Sequence, residues 1–365
     1  MALKPTSDAM TVPAAVPGAV AEPQIVEGVP EPRYEWMDLS AEWGTRVKPG
    51  AHGLRLSDLN VGIYGEVPEV WDDATRRPRG ALPRPGVPPL PYNVRHKHQL
   101  WADCAADLYE EAIQRRWVPA TDVPWHTLKP LPEEIERAVC QVCTELSQYL
   151  NTEIEIIAYW QDQMSYGYYE VKQFLATETF TCTRLIEALR KRALANGGGL
   201  GVESRGLVNR MILESRGGWT ESAMYLYLLR GTYQLQVLRA LLLAAHNPAE
   251  HFIYAKAIED HARHLTYGYD HLKYAVTHQP GGRDIMRVVL SLGEAMIAVE
   301  LEESPMKPAL AIIFGGGIAG GRTTGMQTYL HVVAEFLRDY LAVCEWLGVS
   351  RAEHLHPLLK KYLET

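Results

Sequence analysis

Cysteine is scarce in this chain. Only five occur in 365 residues, at Cys104, Cys140, Cys143, Cys182 and Cys344, and they are widely scattered. A secreted disulfide framework has an even number of cysteines at close spacing, so this class of protein is excluded and a reducing compartment is expected. The N-terminus also lacks a basic stretch followed by an apolar one, which predicts that there is no signal peptide. The expected location is cytoplasmic.

Long hydrophobic runs and basic clusters are missing as well. The longest apolar runs, such as residues 237–245, are far shorter than the roughly 20 residues that cross a bilayer. The formal net charge is −8, which argues against nucleic acid and against an anionic membrane as partners. Because 47% of the residues are hydrophobic, the chain can bury a sizeable core without disulfides or a structural metal. The expected partner is a small-molecule substrate or another protein.

Regular periodicity is absent from the first part of the chain. Residues 1–96 are rich in proline and glycine, as in R-P-R-G-A-L-P-R-P-G-V-P-P-L-P at 77–91, and show no sustained period of 2 or 3.6. Scattered apolar residues such as Trp36, Ile63 and Trp71 interrupt this composition. We therefore interpret residues 1–96 as an extended arm that wraps the folded body or a partner subunit.

Alternating strand patterns are also missing, and residues 97–365 form a helical domain in this interpretation. Pro132 is expected at the first position of a helix, Thr220 as a cap, and Asn247-Pro248 as the boundary between two helices. Glycine and proline divide the domain into nine predicted helices. These cover residues 98–116, 132–164, 169–196, 204–215, 220–246, 248–278, 283–303, 322–347 and 351–363. The fold class is all-α, with a core of four long helices within about 132–278 and extra helices within 283–363.

The richest stretch for chemistry is residues 257–272, which read A-I-E-D-H-A-R-H-L-T-Y-G-Y-D-H-L. His261 and His264 are three residues apart, so on a helix they share one face and can give two nitrogen ligands to one metal ion. An isolated pair of this kind is more often an ordinary polar face of a helix. The rest of the chain must decide between the two interpretations.

The four long helices can be compared with helical bundles that bind two metal ions, in which two helices each give Glu and two give Glu-x-x-His. The last long helix contains D-H-A-R-H-L, with His261 where the pattern has glutamate. The second contains T-C-T-R-L-I-E-A, with Cys182 in the glutamate position and Leu185 in the histidine position. Of these two motifs, only His264 keeps the expected residue type.

The other two long helices offer one carboxylate and one cation. Glu153 precedes Cys182 by 29 residues, a suitable spacing for a ligand on the preceding antiparallel helix. Glu155 is the alternative, although it points about 200° away around the helix. Arg230 stands 31 residues before His261, where the pattern has a third glutamate.

Several stretches resemble a bacterial ferritin-like, di-iron-oxygenase-type family. They are L-Y-E-E-A at 108–112, W-V-P-A-T-D-V-P-W at 117–125, F-L-A-T at 174–177, R-K-R-A-L-A-N-G-G-G-L-G at 190–201 and D-H-A-R-H-L-T-Y-G at 260–268. The resemblance covers about residues 105–348. It implies a ferritin-like four-helix bundle and an oxygen-activating di-iron centre with four carboxylate and two histidine ligands. Glu153 and His264 match this ligand set, whereas Cys182, Leu185, Arg230 and His261 depart from it.

These departures make a standard di-iron centre improbable, because two irons need carboxylates to balance their charge. One metal ion, Fe, Zn or Cu, is expected instead on Glu153, Cys182, His261 and His264. A metal-free core explains the same residues if Glu153 pairs with Arg230 and the histidines are hydrogen-bonded. A third possibility is acid–base chemistry by His261 or His264 on an anionic substrate held by Arg230.

The functional prediction is a non-haem, metal-dependent oxidoreductase or oxygenase-type enzyme that acts on a small organic substrate, with Arg230 and His261 as catalytic residues. The alternative is a catalytically silent member that serves as a structural or regulatory subunit of an active homologue. Either a homodimer or a hetero-oligomer is expected. Two weaker motifs favour structural roles, namely Cys140-x-x-Cys143 as buried thiols and the glycine-rich residues 315–320 as a loop between helices.

Overall fold

The computed structural model describes residues 28, 30, 33–38, 43–72, 75–196 and 198–364. The chain divides into two compact units, Met1–Ala41 and Glu42–Thr365. The described part of the first unit contains one 3₁₀ turn, Glu35–Asp38. All regular elements of the described ranges are helical, and these ranges contain isolated bridges but no strand. The prediction of an all-α chain is confirmed.

The second unit is built from α-helices that are numbered here in chain order. They are α1 (Ala105–Gln114), α2 (Glu133–Gln163), α3 (Tyr169–Ala195), α4 (Leu207–Glu214), α5 (Trp219–Ala223), α6 (Thr232–Leu243), α7 (Pro248–His278), α8 (Gly282–Glu303), α9 (Met306–Gly315), α10 (Ile318–Gly320), α11 (Met326–Leu347) and α12 (Pro357–Lys360). A π-helical stretch, Met224–Gly231, joins α5 to α6, and a second, Gly321–Gly325, joins α10 to α11. We call Met224–Gly231 the π segment.

Helices α2 and α3 form an antiparallel pair joined by a short turn. Both lie within two residues of their predicted bounds, and Pro132 is the residue that caps α2 rather than its first helical residue. Gly167 in the turn lies against the indole of Trp71, and a Cβ atom there would come within 2.3 Å of that ring. The turn is therefore closed by an aromatic side chain from the preceding part of the chain, and only glycine leaves room for it.

The third and fourth long helices begin as local chemistry requires, with one correction. Asn247 accepts a hydrogen bond from the backbone N–H of Glu250, and Pro248 occupies the first turn, so the predicted start of α7 is confirmed. The preceding helix starts at Trp219 with Gly218 as its cap. Thr220 therefore lies inside the first turn, and its prediction as the cap was wrong.

Three predicted segments at the edges of the domain were wrong. Residues 98–116 were predicted as one helix, but α1 starts only at Ala105 because the carbonyls of Leu100 and Trp101 accept hydrogen bonds from side chains of α7. Residues 351–363 contain only α12, since Pro357 disfavours helical backbone at the residue before it. Helix α9 was missed, because Pro308 was taken as a break although proline is tolerated in a first helical turn.

Residues 43–96 lie against the helices of the same unit in extended backbone and short 3₁₀ turns. Arg79 is buried and pairs with Glu170 of α3, and it also donates to the carbonyl of Gly167 at 3.0 Å. Its Nε donates to the carbonyl of Tyr64 at 2.8 Å. In the described ranges, no helix has both the length and the apolar character needed to cross a bilayer.

Candidate metal centre

The candidate centre lies in the middle of the long helices, where α2 supplies Glu153. Glu153 is 2% exposed, because it continues the buried face of α2 that also contains Tyr149 and Ile157. Glu155 lies on the outer surface of the helix and accepts a hydrogen bond from Asn151 at 2.8 Å. Glu153, rather than the alternative Glu155, therefore faces the core.

Helix α7 supplies the two histidines, and each has its Nε2 held by an oxygen atom. His261 Nε2 lies 2.8 Å from the carbonyl oxygen of Gly231, which can only accept, so Nε2 carries the proton. His264 Nε2 lies 2.8 Å from the hydroxyl oxygen of Thr181, and that hydroxyl donates its own proton to the carbonyl of Glu178 at 2.9 Å. Both imidazoles are thereby fixed as Nε2–H tautomers, which leaves each Nδ1 with a lone pair.

These two Nδ1 atoms are buried and have no hydrogen-bond partner. Donor atoms of Glu153, His261 and His264 all lie within 4.8 Å of one another, which is close enough for one ion to contact all three. Backbone carbonyls and hydroxyls that hold the far nitrogen of a histidine are typical of metal ligands. The three residues therefore fit a single metal ion, and this group could hold one.

Glu153 also receives contacts that do not require a metal. Its Oε1 lies 2.8 Å from His264 Nδ1 and accepts from the Cys182 thiol at 3.1 Å, while Oε2 lies 3.5 Å from Arg230 Nη2. Burial acts to raise the pKa of Glu153, but the contact with His264 and the charges of His264, His261 and Arg230 lower it well below its usual range. Glu153 is therefore a carboxylate anion, as a metal ligand must be.

Cys182 lies at the centre without joining the triad. Its sulfur contacts Glu153 but is not among the donor atoms that lie within 4.8 Å of one another. Burial and the charges of Glu153 and Glu178 raise the pKa of the Cys182 thiol well above its usual value. The thiol therefore acts as a hydrogen-bond donor to Glu153 in this arrangement, whereas a metal ligand would be a thiolate.

Arg230 comes from the π segment and is almost completely buried. Its Nη1 donates to the side-chain oxygen of Asn209 at 2.9 Å, its Nη2 faces Glu153, and its Nε has no hydrogen-bond partner. Burial lowers the pKa of Arg230, against the opposing effect of Glu153. Arg230 offsets the charge of Glu153, as the metal-free interpretation of the sequence requires.

Sequence analysis missed Glu178, which lies one helical turn before Cys182. Its Oε2 accepts from the Tyr227 hydroxyl at 3.2 Å, while its Oε1 is buried without a partner and lies 3.8 Å from His264 Nδ1. Burial and the charge of Glu153 raise the pKa of Glu178 well above its usual range. The signal was available, because Glu178, Thr181 and Cys182 share one face of α3 at spacing i, i+3 and i+4.

An ion-pair group holds α3 and α7 together beside the centre. Arg184 of α3 donates to Asp260 of α7 at 2.7 Å, and the Trp117 indole donates to the same carboxylate at 3.0 Å. Arg263 pairs with the other oxygen of Asp260. Since Asp260 directly precedes His261, this group fixes the rotation of α7 that turns both histidines inward.

The weaker motifs take no part in the centre. Cys140 and Cys143 are buried free thiols, and Cys140 contacts the carbonyl of Ala193 at 3.5 Å. Gly315 ends α9, and Gly316 adopts a left-handed backbone with φ of 68° in the turn that follows. Both motifs have the structural roles that their sequence context favoured.

Comparison of the chain with protein-family models, with curated proteins and with solved structures finds no match. Its function must therefore be argued from the chemistry of the centre itself.

Proposed function

We propose that this chain is a ferritin-like oxidoreductase in which one transition-metal ion, held by Glu153, His261 and His264, replaces a di-iron centre. The observation that carries the proposal is the pair of unpartnered Nδ1 atoms beside an ionised Glu153. A buried polar atom without a partner is costly, of the order of 1–3 kcal/mol each, and such atoms in a native core call for a specific explanation. A metal ion shared by both nitrogens removes this cost.

The donor set favours redox chemistry. Two histidines and one carboxylate with open positions are typical of non-haem Fe(II) oxygenases, whereas zinc enzymes use a similar set for hydrolysis. Iron bound there would supply one-electron chemistry and activate a small oxidant. We therefore place iron first, zinc and copper after it, and a small organic molecule as the substrate.

The neighbouring side chains have separate roles in this proposal. Glu178 offers its free Oε1 as a fourth ligand once its proton leaves, and Tyr227 holds the other oxygen in place. Arg230 offsets the charge of Glu153 and orients it. Because Glu178 must lose a proton to bind, metal affinity should fall as the solution becomes more acidic.

A cleft near the π segment offers a route for the substrate. It has a volume of about 230 Å³, and Trp160, Trp219, Thr220 and Met224 form part of its wall. The ring of Trp219 lies 6.0 Å from that of Tyr227, centre to centre, and Tyr227 contacts Glu178. One aromatic layer therefore separates this cleft from the centre, and movement of Tyr227 would open it.

A second candidate function is a catalytically silent subunit of an active homologue. Glu153 already has contacts with Arg230, Cys182 and His264, so its charge is offset without a metal ion. In this alternative the chain keeps its helices for assembly only. It predicts co-purification with a homologue that has both Glu-x-x-His motifs. A stable homo-oligomer with turnover of its own would exclude it.

Metal analysis tests the proposal directly. The protein is purified without added metal, incubated anaerobically with Fe(II), desalted and analysed by mass spectrometry for iron, zinc and copper. We expect about one equivalent of one metal in the wild type and a loss of most of it in His264→Ala. His271→Ala, which removes a buried imidazole from the same helix outside the centre, should retain it.

Three results would contradict the single-metal proposal. Less than about a tenth of an equivalent in loaded wild type would exclude a resident ion. Equal loading of wild type and a folded His264→Ala variant would place the ion elsewhere. Two equivalents of iron would restore the di-iron centre. Circular dichroism of each variant separates loss of the ligand from loss of the fold.

A further inference from the structure

Helix α8 has two apolar faces, although a surface helix of a globular protein normally has one. The inner face, which includes Met286, Leu290 and Ile297, is buried in the core. The outer face is exposed to solvent, and it is the subject of the following paragraphs.

Large apolar side chains form a continuous row along this outer face. Ile285, Val288 and Leu292 are 46%, 73% and 53% exposed. Ala295 and Val299 are partly buried and continue the row toward the end of the helix. We call these five residues the α8 stripe. Single exposed apolar residues are ordinary on protein surfaces, but a row of five that spans four turns is not.

The spacing of the α8 stripe is that of a helix-pairing seam. Its steps are three, four, three and four residues, which is the a/d pattern of a coiled coil. At 1.5 Å per residue, the seam is roughly 21 Å long. This pattern fits one partner especially well, namely another helix with the same pattern.

We propose that the α8 stripe is the interface of a homodimer in which two α8 helices pack antiparallel about a two-fold axis at Leu292. An isologous interface places each residue against a different residue of the copy, except on the axis. Ile285 then packs against Val299 of the second copy, and Val288 packs near Ala295. Large residues therefore meet smaller ones along the seam.

Charge at the two ends of α8 favours the antiparallel direction. Arg283 lies at the start of α8 and makes no ion pair within the described residues, whereas Glu302 and Glu303 lie at its end. Antiparallel pairing brings Arg283 of each copy to the acidic end of the other, and it also opposes the helix dipoles favourably. Parallel pairing would place the two Arg283 side chains together. The end of α8 thus complements its own beginning.

The α8 stripe lies beside further exposed apolar surface. Helix α12 packs against α8, and its Leu358 is 48% exposed. A stable interface buries about 1,200–2,000 Å² in total, more than one helix pair of this length provides. We therefore expect α12 to contribute to the contact and the dimer to be weaker than an obligate one.

The oligomeric state of the full chain tests this proposal by sedimentation velocity at concentrations from one to tens of micromolar. We expect a dimer in the wild type and a folded monomer in Leu292→Asp, since two carboxylates would meet on the axis. Leu243→Asp is the matched control, because Leu243 is 90% exposed and lies outside the α8 stripe. This control should remain a dimer.

Cysteine cross-linking tests the direction of pairing. A mixture of Ile285→Cys and Val299→Cys chains should give a mixed disulfide dimer under mild oxidation, whereas a parallel seam would cross-link Ile285→Cys with itself. A wild-type chain that is monomeric at tens of micromolar would overturn the proposal. Dimers that persist in folded Leu292→Asp would overturn it as well. If deletion of residues 1–27 turned a monomer into a dimer, the N-terminal residues would be the partner of the α8 stripe instead.

Discussion

The nitrogen atom that each histidine leaves without a partner distinguishes the candidate ligands from ordinary core histidines. His271 also lies buried on α7, but its Nδ1 faces the carbonyl of Trp101 and its Nε2 the hydroxyl of Thr220, each at 3.2 Å. His261 and His264 each keep one unpartnered nitrogen, and both point into the same small region. Burial alone therefore does not identify a ligand, whereas an incomplete set of hydrogen bonds does.

His271 should make folding stability depend on pH. Burial lowers its pKa from 6.5 to about 4, so the unfolded chain takes up a proton before the folded one does. Stability is lost as the pH falls from 6.5 toward 4, by about 2 kcal/mol between pH 7 and pH 5. The stability deficit of His271→Gln, measured by urea unfolding, should therefore shrink by about this amount over that range.

The exposed His278→Gln variant, on the same helix, is the control for His271. Its difference from the wild type should be the same at pH 7 and pH 5. A deficit of His271→Gln that stays constant with pH would show that His271 does not titrate in this range in the unfolded chain alone.

The π segment is the element on which the centre depends most. It carries Tyr227 and Arg230, and it ends at Gly231, whose carbonyl accepts from His261. An added Cβ at Gly231 would come within 2.7 Å of Leu265, so glycine allows this close approach to α7. Widened turns of this kind often occur at functional sites. Here the π segment brings a cation, a phenol and a backbone carbonyl to one place.

Gly268→Ala tests how tightly the π segment packs on α7. A Cβ at Gly268 would lie 2.2 Å from Cγ of Tyr227, so the ring must move. Alanine improves helix propensity by about 1 kcal/mol, but overpacking costs about 1–3 kcal/mol, and we expect the clash to prevail. Urea unfolding should show a less stable protein, and metal loading should fall because Tyr227 holds Glu178.

Gly199→Ala is the comparison, since an added Cβ at Gly199 meets nothing within 4 Å. It should change neither stability nor metal loading beyond a few tenths of a kcal/mol. If Gly268→Ala behaved in the same way, the close contact between α7 and the π segment would not be needed.

At the scale of the whole unit, residues 43–96 are tied to the helices by buried polar contacts. Arg79 and Glu170 are both almost completely buried, and Asn60 donates to the same carboxylate at 3.3 Å. A buried ion pair contributes little compared with a well-packed apolar pair, but removal of one partner leaves an uncompensated charge. This contact therefore fixes the place where residues 43–96 cross α3.

Arg79→Gln should destabilise the protein by about 3–5 kcal/mol, because the Glu170 carboxylate would remain buried without its cation. The double variant Arg79→Gln, Glu170→Gln should recover much of this loss. Urea unfolding gives the magnitudes, and limited proteolysis should show earlier cleavage within residues 43–96. The exposed Arg84→Gln should match the wild type. A single variant as stable as the double one would contradict this account.

The sequence by itself determined the helical class of the protein and the two ends of its candidate site. Periodicity, together with breakers such as Asn247-Pro248, was enough to place the long helices, because these signals are local. The spacing of Glu153, His261 and His264 was enough to group them, since residues on one face of a helix meet the same neighbours.

Only the tertiary structure decided the chemistry of that site. The free nitrogen of His264 depends on Thr181 of another helix, and the free oxygen of Glu178 depends on how Tyr227 packs. Likewise, the partner of Arg230 follows from the π segment, which no sequence pattern revealed. The physical reason is that a helix fixes which residues share a face, whereas hydrogen-bond partners and protonation depend on the atoms that neighbouring helices bring within about 3 Å.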